Sequence, residues 1–466
     1  MRASPSPFDA FDVPPPWPQP LLKGIRTRYE ASPFPIVILD DDPLGGQCVR
    51  DIPVLTTWDA KWLAVEMDRS EAFLLLTDTR ALGRRDAVER AREIGFSLQQ
   101  AALEAAVQPT LMWRSDSTLR GHFLWEMTAL TEEFELDGMP DPVYVFLPYF
   151  GDGGRYTLDD VQHVLQEGRL VPVAETEFAR DPAFAFTQSH LPAWLEEHSE
   201  GQVRARDVLT LSLEDLRRGG PERVATALAD APGGSAVIVN AIADSDIEVF
   251  VAGLQRAEAE GGYFLCSGAA PFVRARLGQA VRPVLAASDL NLAPDAGGLI
   301  IVGSYVDRTS EQLRLALAVP GAISIELAVD ALTDATRRAS EVQRIARSVS
   351  GHLTAGEDVI VHTTRAHAPD AAPAIAEALT AVVAGLEIRP RYLLAKGGST
   401  ASHLATDALG VRRAVVLGQL MAAVPVWRLG EESLWPGLPF VIFPGNAGTP
   451  DGLAEALRTL RRDNRG

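Results

Sequence analysis

Lysine is nearly missing from this chain of 466 residues, where Lys23, Lys61 and Lys396 are the only lysines and arginine carries almost all the positive charge. Acids outnumber bases by 62 to 43, and a net charge of -19 argues against nucleic acid or an anionic membrane as partner, since both require a basic face. Cysteine is confined to Cys48 and Cys266, which make no disulfide framework and suit a reducing compartment. The eight histidines include no HxxxH pair, so no metal cluster is legible and any metal-holding residue stays unassigned. No apolar leader follows Met1-Arg2-Ala3-Ser4-Pro5, and the longest apolar stretch, Ala414 to Trp427, is interrupted by Gly418, Gln419 and Pro425 and is too short for a bilayer. The expectation is a cytoplasmic protein. GxxxxGK[ST] and a GxGxxG opening a βαβ unit are also absent, so neither a P-loop nor a dinucleotide fold is indicated.

What is present is a rhythm of short apolar runs and helical patterns. Ile36–Leu39, Phe73–Leu76, Thr110–Trp113, Val143–Phe146 and Ala236–Val239 read as strands, with helices such as Arg84 to Ala106 between them. A weak stretch from Arg282 to Gly298, with Pro283, Pro294 and paired glycines, reads as a domain boundary. The rhythm then restarts with Leu299–Val302, Ala322–Ile325, Asp358–Val361, Tyr392–Ala395, Ala414–Leu417 and Phe440–Phe443. Residues 1–32 hold seven prolines and read as an extended arm. The predicted fold is two α/β domains with mostly parallel sheets and an active-site cleft between them: an arm at 1–32, one domain at 33–285 and a second at 296–466.

Ligands of open α/β sheets bind beyond the carboxyl ends of the strands, so the residues after each run matter most. In the first half these are acids and arginines: Asp40-Asp41-Asp42-Pro43, Thr77-Asp78-Thr79-Arg80, the stretch Arg114 to His122 containing Asp116 and Arg120, and Pro148 to Arg155. Such a set suits a polyol with a carboxylate, its hydroxyls donating to aspartates and its carboxylate accepting from guanidinium forks. Asp40 and Arg155 join the substrate-binding set on this ground. In the second half the strand ends are Gly303-Ser304, Lys396-Gly397-Gly398-Ser399-Thr400 and Pro444-Gly445-Asn446, glycine-rich turns suited to a polyphosphate. After the middle turn, Ala401 to Leu409 reads as a helix. An acid-sugar half and a phosphate half together suggest a kinase, because phosphoryl transfer needs positioning, Mg²⁺ and cationic charge, and a carboxylate to take the hydroxyl proton.

These residues carry a resemblance. Asp41-Asp42-Pro43 with Gly45 and Gln47, Arg114 to His122, Gly153-Gly154-Arg155-Tyr156-Thr157, Glu175 to Asp181, Lys396-Gly397-Gly398 with Thr400, and Phe443-Pro444-Gly445-Asn446 resemble, in order, the four-carbon acid sugar kinase family. The resemblance implies an N-terminal sugar-acid domain, a C-terminal nucleotide domain, and phosphorylation of tetronates or 3-oxo-tetronates by ATP with Mg²⁺. It implies that Asp41, Asp42, Arg114, Asp116 and Arg120 line the substrate pocket and that Ser304, Gly397, Gly398, Thr400, Gly445 and Asn446 hold ATP.

The departures are as informative. The family's first loop reads Asp-Asp-Asp-Pro-Thr-Gly-Thr-Gln-Thr, and Leu44, Gly46 and Cys48 stand here where it has threonines. Lost hydroxyl donors imply another acid sugar or lost catalysis. His403 stands where the family tends to an acid. The expected roles are Asp41 or Asp42 as acceptor of the hydroxyl proton, Arg114 and Arg120 on the substrate carboxylate, and Lys396 and Ser399 at the phosphates. The rivals are a sugar-acid sensor descended from a kinase and an oxidoreductase, the latter disfavoured by the missing dinucleotide fingerprint. A homo-oligomer is left open.

Overall fold

The computed structural model describes residues 7–9, 11–32, 34–134, 141–304, 306–364, 371–445 and 448–461. The chain forms two compact units, one of Met1–Asp41 and Trp58–Val281, the other of Asp42–Thr57 and Arg282–Gly466.

Seven strands of the first unit pair in the order Ala72–Leu76, Ile36–Asp40, Thr110–Arg114, Phe264–Gly268, Val143–Leu147, Ala236–Val239 and Leu209–Leu211, every pairing parallel. Runs such as Ile-Val-Ile-Leu and Phe-Leu-Leu-Leu are buried along their whole length, as strands of a sheet covered on both faces must be. The register sets Asp40 level with Leu76 on one side and Arg114 on the other, so the polar residues closing each strand emerge side by side. A separate antiparallel sheet of Arg155–Leu158, Val161–Gln166 and Arg169–Pro172 interrupts the α/β pattern. It and the central strand Phe264–Gly268 are absent from the sequence reading, because both lie in short mixed segments without a clear period.

The second unit has five parallel strands in the order Ala322–Leu327, Asp358–Thr363, Leu299–Val302, Leu393–Lys396 and Pro439–Phe443. Antiparallel Val424–Leu429, Arg413–Met421 and Ile52–Leu55 follow. Lys396 lies level with Val302 and Phe443, so the three glycine-containing turns leave the sheet at one end. The core under them includes Ile300, Val302, Leu394, Val441, Phe443, Leu457 and Leu460.

Two expectations about organisation change. The division is not linear, because Ile52–Leu55 pairs with Arg413–Met421 and carries Asp42–Thr57 into the second unit. Nor is the proline-rich segment simply extended: Leu22–Glu30 is a helix that buries Ile25 and Tyr29, and Arg217 donates from Nη1 to the Pro14 carbonyl at 2.8 Å. Prolines end before the helix begins, which leaves its backbone donors intact.

Arg217 also forks onto Asp246 at 2.7 and 2.8 Å, and Asp246 accepts from the N–H groups of Ile242 and Ala243. Both side chains are under 5% exposed, at 4% and 1%. Arg217→Ala leaves that carboxylate buried and unpaired, a change that costs about 3–5 kcal/mol. The expected result is a lower urea midpoint together with faster proteolysis near Pro14.

Candidate functional site

The aspartate run at the first strand end is resolved by giving each acid a different partner. Asp40 pairs with Arg114 at 2.8 Å, both almost fully buried, and Asp41 receives a bidentate fork from Arg80 at 3.0 and 2.5 Å. Arg114 also approaches Asp41 at 3.9 Å. Asp42 turns to its own loop, where it accepts from the Leu44 N–H at 2.9 Å and caps a 3-10 turn, Pro43–Gly46. Two neighbours in sequence, Asp41 and Asp42, therefore belong to different units. Arg80 was not assigned from sequence, although its place in a polar strand end marked it.

The stretch after Arg114 folds back on this cluster. Leu119 and Gly121 adopt φ of 67° and 115°, and a Cβ on Gly121 would stand 3.0 Å from an Asp41 oxygen, so only glycine allows the approach. Asp116 accepts from the Thr118 hydroxyl at 2.5 Å and from Arg120 Nε at 2.8 Å. Burial alone would raise the Asp116 carboxyl, but the Arg120 and Arg80 guanidiniums and the Thr118 hydrogen bonds outweigh it and hold the group well below the usual range. Arg120 also reaches Asp181 at 3.5 Å.

Arg120 and Arg155 lie over the same ring, Phe178, with guanidinium carbons 5.2 and 5.5 Å from its centroid. Burial pushes the Arg155 guanidinium below its ordinary range, and its Nε has no partner among the described residues. Phe178 and Asp181 both come from the stretch Glu175 to Asp181. The sequence brings that stretch in only through the resemblance and assigns none of its residues to the site.

In the second unit the three glycine turns meet. Thr309 Oγ1 lies 2.7 Å from the Gly445 carbonyl and 3.0 Å from the Ser304 hydroxyl, and Gly397 donates to the Phe443 carbonyl at 2.8 Å. Gly397 has φ of 117°, and a Cβ there would stand 3.2 Å from Ser304 Cβ and 3.3 Å from Thr400 Oγ1. A Cβ on Gly398 would lie 3.2 Å from the Asp42 carboxylate. Ser304, Gly397, Gly398, Thr400, Gly445 and Asp42 are thus one neighbourhood, with Ser399 exposed beside them. Asn446 lies outside the described residues. The expected helix is the α-helix Gly398–His403 followed by a π-helical turn, Leu404–Ala408, and His403 is exposed against Asp407 at 2.9 Å.

Lys396 is where the structure departs most from the expectation of a charge free to meet phosphates. Its side chain is 0% exposed, and its ammonium donates to the Pro444 carbonyl and, at 3.0 Å, to that of Gly445. Nζ also lies 4.7 Å from the centroid of Phe443. The lysine fastens one glycine turn to another, because a long side chain leaving a strand end into a packed loop finds carbonyls before it finds solvent.

The first-loop departures acquire physical reasons. A Cβ on Gly46 would meet Val416 Cγ2 at 2.9 Å and Trp427 Nε1 at 3.4 Å, so a threonine does not fit unless Val416 yields. Cys48 has φ of 68°, a region costly for a β-branched residue. Packing gives a physical reason for glycine at position 46, and backbone conformation one for the absence of threonine at position 48.

The two folds and their polar ends define a class. A family model for a sugar-binding N-terminal domain matches residues 36–276, and one for a nucleotide-binding C-terminal domain matches residues 299–453. The chain belongs to the family that joins these domains, the four-carbon acid sugar kinase family. A D-erythronate kinase of Heliobacterium modesticaldum is 25% identical over 332 residues, 68% of each chain. The fold is shared with a crystal structure named as a tRNA synthase from Salmonella typhimurium LT2, with a TM-score of 0.67, 15% identity and coverage of 92% of this chain and 98% of that one. It is shared also with Haemophilus influenzae protein HI1011, with a TM-score of 0.62, 17% identity and coverage of 91% and 99%. At these identities the likeness is one of fold.

Gly46→Thr is expected to lower stability by about 1–3 kcal/mol through overpacking against Val416, read as a lower denaturation midpoint, and Gly46→Ala by less. Lys396 gives a pH signature. Burial, with Arg308 adding repulsion, pushes its ammonium down to about 7 from 10.5. Between those values the unfolded chain holds a proton that the folded chain has released, so stability at this position rises with pH across that window. Urea midpoints at pH 7 and pH 9 should rise more for the wild type than for Lys396→Met.

Proposed function

We propose that this protein is an ATP-dependent kinase that phosphorylates a hydroxyl of a four-carbon acid sugar, such as a tetronate or 3-oxo-tetronate. Membership of the family supports a sugar-acid kinase, and the D-erythronate kinase relative supports the four-carbon class. The observation that carries the reading is the set Asp116, Arg120 and Arg155 at Phe178, together with Asp41 held by Arg80 at the first strand end, in which carboxylates for hydroxyls stand with guanidiniums for an acid. Arg114 is buried in its pair with Asp40 at 7% exposure, whereas Arg120, at 19%, and Arg155 are only partly buried, so the substrate carboxylate falls to Arg120 and Arg155 rather than to Arg114 and Arg120.

Asp41 accepts the proton of the attacking hydroxyl as the oxygen attacks the γ-phosphorus, and the bond to the β-phosphate oxygen breaks to release ADP. Ser304, Gly397, Gly398, Ser399, Thr400 and Gly445 bind the phosphates, while Lys396 keeps the turn at Gly445 in place. Among the described residues no three His, Cys, Asp or Glu side chains form a metal cluster. Mg²⁺ binds through one or two carboxylates and the phosphates themselves, and Asp42, beside Gly398, is the carboxylate suited to it. Bound with ATP, Mg²⁺ neutralises charge on the transferring group. No helix among the described residues is long and apolar enough to cross a membrane.

Coupled ADP release with Mg²⁺ against four- and five-carbon sugar acids tests the reading, with turnover of at least one tetronate expected. Asp41→Asn should cut kcat by about 10²-fold or more while ATP still binds. ATP binding with no acid turned over would instead support the sensor.

A further inference from the structure

Gln162 is not among the residues that meet substrate or phosphate in this reading, yet its wholly buried amide joins three segments of the first unit. Nε2 donates to the Ser117 carbonyl at 2.7 Å and to the Pro148 carbonyl at 3.0 Å, and Oε1 accepts from the Thr157 hydroxyl at 2.7 Å. Carbonyls only accept, so the amide nitrogen faces Ser117 and Pro148, and the one proton of Thr157 goes to the amide oxygen. Thr157 is 0% exposed as well, so solvent does not reach this junction.

Each of the three partners lies in a segment tied to a candidate site residue. Ser117 follows Asp116, and its turn is closed by the Leu119 N–H on the Asp116 carbonyl at 3.1 Å and leads directly to Arg120. Pro148 follows the strand Val143–Leu147, and two residues further on Phe150 exchanges backbone hydrogen bonds with Arg155 at 3.0 and 2.9 Å. Thr157 stands opposite Gln162 in the small antiparallel sheet, and Arg155 is two positions before Thr157, so all three side chains share one face. The other face carries Tyr156 and His163, whose rings meet those of Phe8 and Phe11 with centroids 5.0 and 6.3 Å apart. Aromatic packing supports the sheet from behind, and the amide sets its front against the Arg120 turn.

We propose that Gln162 is a positioning residue for the substrate carboxylate: its amide fastens the sheet that carries Arg155 to the turn that carries Arg120, and so holds both guanidiniums over Phe178 where one carboxylate can meet them. The proposal rests on the assignment of Arg120 and Arg155 to that carboxylate under the kinase reading. The junction demands an amide. A glutamate of the same shape offers no proton when ionised and one when protonated, so at least one of the two carbonyls loses its donor. A buried carbonyl without a donor is costly enough to part the two segments, and a misplacement of about 1 Å in a binding group costs up to about 10²-fold.

The test is equilibrium binding, by calorimetry, of the four-carbon sugar acid that wild type binds most tightly, beginning with D-erythronate, beside ADP release with ATP and Mg²⁺. The variants are Gln162→Glu, Thr157→Val and Thr157→Ser. Valine keeps the branched shape of threonine and removes the proton given to Gln162, so that variant decides the matter should Gln162→Glu fail to fold. Kd and KM for the acid are expected to rise about tenfold or more in Gln162→Glu and about fivefold in Thr157→Val, with KM for ATP within twofold and Thr157→Ser close to wild type. On an Arg155→Ala background Thr157→Val should add less than about twofold, because the guanidinium it helps to place is gone. Full additivity on that background, or acid affinity within twofold of wild type in Thr157→Val, would overturn the proposal and leave Gln162 a purely structural residue. Wild type that binds the acid but releases no ADP, with these binding differences intact, would count against the kinase reading and not against Gln162. Wild type that binds no sugar acid would remove the carboxylate site and the proposal with it.

Discussion

Parallel pairing in register governs the polar architecture of both units. Within each parallel set, neighbouring strands run the same way and end at matched positions, so residues far apart in the chain become neighbours at the carboxyl edge. Asp40 stands level with Arg114, and Lys396 with Val302 and Phe443, because the apolar runs before them pair residue for residue. Sliding one strand by a single residue would undo the close packing of side chains on both covered faces and draw a polar end residue into the core, which makes this register costly to change. The polar ends are therefore fixed by the packing of side chains that have no chemistry of their own.

Charge at the first edge is managed by partition. Three consecutive aspartates are tolerable because Arg114 takes the first, Arg80 the second, and the third caps its own loop. A bidentate guanidinium on a nearly buried carboxylate fixes direction as well as charge. Around Phe178 the arrangement differs: two guanidiniums lie over one ring, Arg120 paired with Asp116 and Asp181, and Arg155 in the field of Asp116 and Glu177. At the second edge the equivalent roles pass to backbone, with glycine at the close approaches and a buried lysine tying two turns together.

Most strands were legible in the sequence, since Ile36–Leu39 or Leu299–Val302 is apolar without interruption and bounded by polar turns. What escaped has a common physical cause. Ile52–Leu55 contains a proline and only four residues, Phe264–Gly268 ends in small residues, and the antiparallel sheet from Arg155 to Pro172 is short and only partly buried. Each owes its structure to a partner distant in sequence. The same holds for the candidate site: Asp41, Asp116, Arg120, Ser304 and Gly397 could be picked out by where they follow a strand, but Arg80 and Phe178 enter through contacts that no spacing announces.

By itself the sequence determined the α/β class, the split into an acid-and-arginine half and a glycine half, and the kinship both imply, because hydrophobic period and strand-end chemistry are local. Tertiary structure alone decided the rest. It sent Asp42–Thr57 to the second unit, gave Arg114 to Asp40, buried Lys396 among carbonyls and filled with Val416 the space a threonine at position 46 would need. Those outcomes depend on which side chains meet across long stretches of chain, and meeting is a property of packing rather than of order along the sequence.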